Sequence, residues 1–192
     1  MPRNRRPRNC NKFVRDLGLE RRLLFEGRAI QVRFHRNLRA GRDQLYSQPP
    51  HGQPVHAASF IRRRRIFLDE ALERRPRELA RILVHELFHF AWVRLGNRAR
   101  DSYISLLQKE RKQGARGELG WSAEMRKKRL AGRTGVARAS QWRDYACESF
   151  CDTAAWMYSG LRKHSEFTLA RRHRQHRAAW FEAAFSGRRI PI

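Results

Sequence analysis

Apolar positions follow a period near two before residue 76 and a helical period after it. Residues 29–34 (Ala29-Ile30-Gln31-Val32-Arg33-Phe34) alternate in part, as a half-exposed strand does. Two further short strands are expected at 55–61 and Arg65–Asp69, after the loop punctuation Gln48-Pro49-Pro50-His51-Gly52. The second of these is short and flanked by Arg, which suits an edge strand protected from pairing with other chains. Pro76 then opens a helix expected to run to Leu95, with Leu79, Ile82, Leu83, Phe90 and Val93 at helical spacing and Gly96-Asn97 as its stop. Residues 98–140 are polar and Gly-punctuated, with helices expected near 99–112 and 121–131. A strong helix is expected over 140–159, ending at Gly160. A last one, over 167–185, would carry Leu169, His173, Trp180, Ala184 and Phe185 on one side. No internal repeat is visible. The expected class is α+β: a small twisted antiparallel or mixed sheet packed on helix 76–95, then a mainly helical C-terminal half.

Length and composition narrow this picture. The 192 residues suit one domain, expected over 13–192 behind a basic, poorly ordered arm at 1–12. Eleven Phe and five Trp supply core-forming side chains, so disorder does not describe the whole chain. No apolar run approaches the ~18 residues of a membrane span, and the basic N-terminus Met1–Arg8 is followed by no signal-peptide apolar stretch. A soluble, cytoplasmic monomer is therefore expected. Cys10, Cys147 and Cys151 are an odd count, which fits a reducing compartment rather than a disulfide framework.

The net charge of +25 invites a nucleic-acid reading. Its arginines are nevertheless spread over the chain, at 62–65, 126–129 and 171–177, and no RNP, zinc-finger or helix-turn-helix signature accompanies them. The charge implies non-specific contact with polyanions, including nucleic acid.

Candidate chemistry centres on His85-Glu86-Leu87-Phe88-His89, in the middle of helix 76–95. Histidines four apart share a helix face and can reach one ion, and Glu86 projects beside them, where it can take a proton from a metal-bound water. The apolar surroundings (Leu83, Val84, Leu87, Phe88, Phe90) make a charged Glu86 costly without such a role. A catalytic zinc needs a third protein ligand. The metzincin position, ten residues after His85, is Leu95, and the next histidine after His89 is His164, too distant for an SprT-type protease. Helix 140–159 offers Glu148 and Asp152, four apart on one face: one carboxylate can ligate and the other can orient a ligating histidine. Cys147 and Cys151 offer a competing, closed Cys2His2 site with His85 and His89. They are expected about 100° around the helix from the carboxylates, so the two sets should not share an ion.

A helix with HExxH followed by a helix with ExxxD resembles the gluzincin group of zinc metallopeptidases, and the small size and preceding strands are most similar to the compact minigluzincin type. Peptidases that cut repressors share the same logic. The resemblance covers about residues 55–160. It implies one Zn2+ held by His85, His89 and Glu148, with Glu86 as general base, Asp152 as the carboxylate behind a ligating histidine, and a zincin-like fold. The implied activity is hydrolysis of peptide bonds in a peptide or protein substrate lying along Arg65–Asp69. Tyr145, one turn before Glu148, is the candidate oxyanion donor, with His164 or Tyr103 as alternatives. The extended C-terminal end, 187–192, could fold back into the cleft as a self-inhibitory tail. The alternative function is a basic nucleic-acid-binding or regulatory domain built on the structural Cys2His2 site.

Overall fold

Alternation along three short strands separates a core face from an outer face. In β3 (Gln31–His35), β7 (Ala57–Phe60) and β8 (Arg65–Asp69), Val32, Ile66 and Leu68 are buried, while Arg33, Arg65 and Phe67 point the other way. The computed structural model describes residues 8–20, 23–41, 44–46, 52–130, 135–185 and 187–192. Its main sheet has the order β1-β3-β8-β7, with β1 at Arg8–Asn9. The β3–β8 pair is parallel and the outer pairs are antiparallel. A parallel pair needs a crossover. Here that connection carries a second, three-stranded sheet of β4 (Arg39–Gly41), β5 (Gln44–Tyr46) and β6 (Gln53–Pro54), and then β7.

Strand β8 is therefore interior, contrary to the edge position expected for it, and β7 is the edge. The preceding Arg62, Arg63 and Arg64 belong to the β7–β8 turn, where Arg64 adopts a positive φ of 50°, and do not mark an exposed strand edge. Residues 8–12, expected in the basic arm, belong to a strand and a helix. Arg8–Asn9 pairs with β3, and α1 (Cys10–Asp16), capped by the Asn9 side chain, buries Cys10, Phe13 and Val14. Residues 1–7 lie outside the described residues, as does the loop signal at 48–51.

The remainder is mainly helical: α2 (Pro76–Arg94), α3 (Asn97–Lys112), α4 (Trp121–Arg129), α5 (Gly135–Tyr158) and α6 (Arg171–Phe185). The class is α+β with small mixed sheets. On α2 the expected Leu79, Ile82, Leu83 and Phe90 are buried, but Val93 is 46% exposed and Trp92 takes its place in the core. Gly96 is no left-handed stop. With φ −63° and ψ 157° it caps the start of α3, and the extended Leu95 ends α2. Gly160, at φ +81°, does terminate α5, the use glycine is suited to after a helix. Helix α5 begins five residues earlier than the expected 140, and α6 begins only at Arg171.

One hydrophobic cluster joins residues from Cys10 to Ile192, with α2 packed along α5 through Phe88 and Phe150, whose ring centroids are 5.6 Å apart. Phe150 also stacks on Phe181 of α6 at 4.8 Å. The C-terminal strand β9 (Ile190–Pro191) pairs in parallel with β2 (Phe25–Glu26), and Ile190 and Ile192 are buried. The tail is thus part of the core and not a cleft inhibitor. Among the described residues no helix is long and apolar enough to cross a membrane.

Candidate metal centre

Two helices bring the candidate groups together because each presents them at four-residue spacing toward the other. His85 and His89 lie on α2 with ring centroids 4.9 Å apart. The α5 stripe opposite them carries Glu148, Cys151 and Asp152. His85 Nδ1 lies 2.7 Å from Asp152 Oδ1, and its Nε2 lies 3.3 Å from Glu148 Oε2. An ionised carboxylate only accepts, so the Asp152 contact assigns a proton to Nδ1, and Nε2, facing Glu148, is the nitrogen at which a cation would replace a proton. Asp152 is fixed in turn: its Oδ2 accepts from the Ala123 N–H at 3.0 Å, at the start of α4. Gly120 leaves the room for this contact, since a Cβ there would collide with the Asp152 carboxylate.

Glu86 points to the opposite wall. Ser59 Oγ, on the core face of β7, donates to Glu86 Oε2 at 2.5 Å. The carboxylate is buried, and among the described residues Ser59 is the hydrogen-bond partner of Oε2. A 450 Å³ cleft opens here, lined by His56, Ala57, Arg81, His85, Glu86, Trp121 and Asp152 among others. Its β-wall is β7, so a chain lying along an edge strand would meet β7 and not Arg65–Asp69.

The electrostatics favour positive charge between these groups. Burial pushes His85 down, but Asp152 and Glu148 outweigh it and raise its pKa well above the ordinary value. His89 is likewise held up at about 8 against burial, chiefly by the Cys147 thiol 3.4 Å from its Nδ1. Burial would raise Glu148, yet the His85 contact and the charges of His89, His85 and Arg126 bring it down to about 2. The Arg126 guanidinium lies 2.9 Å from Glu148 Oε1, on the side away from His85. Cys147 is lowered to about 6, first by its contact with Cys151, whereas burial and that same neighbour push Cys151 well up. Two imidazoles, a carboxylate and thiols in a buried pocket form a donor set that fits zinc.

The expected separation of thiols and carboxylates does not hold. Cys151 follows Glu148 by three residues, about 60° around a helix, so both face α2. His85, His89 and Cys151 bring one donor atom each within 4.8 Å of one another. Tyr145 does not reach the cleft: its hydroxyl donates to Glu118 Oε1 at 2.5 Å in a buried cluster, and burial and Glu118 hold it protonated. The two alternatives fail likewise. Tyr103 is fully buried against Ser149 and Thr153, and His164 pairs with Glu78 at 3.4 Å in a separate pocket. Sequence reasoning missed Ser59 and Arg126. Nothing local marks Ser59, and Arg126 is hidden in a basic run. Cys151 had a signal in its i+3 relation to Glu148.

No protein-family model, curated protein or solved structure matches this chain.

Proposed function

We propose that this chain is a zinc-dependent metallopeptidase of the gluzincin type. The observation that carries the reading is His85, held at Nδ1 by Asp152 while its Nε2 faces Glu148, on a helix whose Glu86 lines the adjoining cleft. His85, His89 and Glu148 would hold the metal, and Asp152 would set the His85 tautomer. Bound zinc would polarise the scissile carbonyl and acidify the attacking water. Glu86 takes the proton from that water and delivers it to the leaving amine nitrogen, with Ser59 fixing the carboxylate through Oε2. The substrate backbone adds to β7, an edge strand among the described residues, where main-chain hydrogen bonds hold it extended beside Glu86. A mixed sheet with an antiparallel edge beside α2 supports a zincin-like reading of the fold.

The test is Glu86→Gln in the zinc-loaded chain, assayed on a quenched-fluorescence peptide library. Turnover should fall by about 10²–10⁴-fold or to background, with zinc content unchanged. Undiminished hydrolysis would remove Glu86 from its role. A second reading is favoured by the close His85–His89–Cys151 group: a closed structural site, completed by a further donor such as Cys147, in a basic binding or regulatory domain.

A further inference from the structure

The outer face of the main sheet takes no part in the candidate metal centre. Strand register puts Gln31, Arg33 and His35 of β3, Arg65, Phe67 and Asp69 of β8, and Ala58 and Phe60 of β7 on that face, where the Asp69 carboxylate is taken up by the Leu38 and Ala71 N–H groups. Phe60 and Phe67 are half-buried, and neither belongs to the core cluster that takes up Val32, Ile66 and Leu68. With His35 they form a row of rings: His35 and Phe67 lie 4.8 Å apart and Phe67 and Phe60 5.3 Å, both pairs edge to face. Arg33 and Arg65 flank the row, and the Nε of each is buried without a hydrogen-bond partner among the described residues. Such a donor carries a desolvation cost that an added acceptor would relieve. Where the sheet meets the β7–β8 turn, a 400 Å³ cavity is lined by Arg28, Arg62, Arg63, Arg64 and Arg65 with Gln31 and Ala29. Arg64 is engaged there with the Arg28 carbonyl oxygen, and Arg62 and Arg63 are exposed.

We infer that this sheet face binds single-stranded nucleic acid, with bases stacked on Phe60, Phe67 and His35 and phosphates along Arg33, Arg65 and the arginine-lined cavity. Arginines alone would attract any polyanion. The ring row selects among them, because unpaired bases offer π-faces that a duplex keeps stacked inside itself and an acidic peptide lacks. Burial and the nearby Arg33 hold the His35 pKa below its ordinary value, which keeps its ring neutral and suited to stacking at neutral pH. The inference is independent of the peptidase reading, since no residue is shared with the metal centre.

The test is fluorescence anisotropy on the full chain with a labelled oligothymidylate of about 12 nucleotides, a length within reach of such surfaces, and a duplex of equal length. The single strand should bind more tightly than the duplex. Phe67→Leu, which keeps an apolar side chain and is checked for folding by circular dichroism, should weaken single-strand binding about tenfold without changing the salt slope. Arg65→Gln should reduce the slope of log K against log salt by about 0.7, and the same charge change at exposed Arg171 on α6 should leave it near the parent value. Equal affinity for duplex and single strand, or full affinity in folded Phe67→Leu, would overturn the inference. So would displacement of the oligonucleotide by polyglutamate at equal charge concentration, which would identify an acidic-peptide surface instead.

Discussion

Arg177 of α6 is fully buried, and replacing it with methionine isolates what a buried charge network contributes to this fold. Its guanidinium donates from Nε and Nη2 to Glu110 Oε2 at 3.0 and 2.7 Å, and from Nη1 to Glu118 Oε2 at 2.7 Å and Ser149 Oγ at 2.9 Å. The contacts tie α6 to α3, to the loop before α4 and to α5. Lys127 joins through Glu118 Oε1 at 2.9 Å, so the cluster holds two charges of each sign. Methionine fills similar space but leaves Glu110 and Glu118 with one cation between them. Breaking a buried pair in this way costs about 3–5 kcal/mol, which in a domain of this size is a drop of about 6–20 °C in Tm. The cost is pH-dependent. Burial pushes Glu118 up, but Arg177, Lys127 and the Tyr145 hydroxyl outweigh it and hold its pKa below the ordinary value. The stability from that depression is fully present above the unfolded carboxyl range near pH ~4.5 and is lost as pH falls through the lower folded pKa. The gap between parent and Arg177→Met should therefore narrow in acid. Urea titrations at pH 7 and in a series carried below pH ~4.5 measure both effects. A loss under about 1 kcal/mol at pH 7, the scale of an exposed pair, would refute the reasoning.

Other substitutions probe the metal centre. Asp152→Asn should weaken zinc affinity by about 10–100-fold, measured by competition with a chromogenic chelator, because the His85 tautomer is no longer enforced. Gly120→Ala should do the same without touching any proposed ligand, since its Cβ displaces the Asp152 carboxylate. Unchanged affinity in that variant would separate Asp152 from the site.

The parts legible in the sequence are those written in local spacing. Pro76 and the 3.6-residue period located α2, and the four-residue interval between Glu148 and Asp152 pointed to a partner for His85, 67 residues away from Asp152 and now found at 2.7 Å. Strand order is set by tertiary pairing, so nothing in Arg65–Asp69 disclosed that β3 and β7 would flank it. Tyr145 lies one turn from Glu148, but the loop carboxylate of Glu118, which no helical spacing announces, takes its hydroxyl. Arg177 is one of 43 basic residues, and only the positions of Glu110 and Glu118 in the fold single it out. Cys151 lies about 100° around the helix from its neighbour Asp152 but only about 60° from Glu148, so adjacent spacing hides a thiol that shares the α2-facing side.

The central claim is an open three-ligand zinc site, and metal content by mass spectrometry tests it most directly. The native chain should carry one zinc, Glu148→Ala should lose it, and Cys151→Ser should keep it. Zinc retained in Glu148→Ala and lost in Cys151→Ser would contradict the account, because the site would then be closed by sulfur and leave no position for a hydrolytic water.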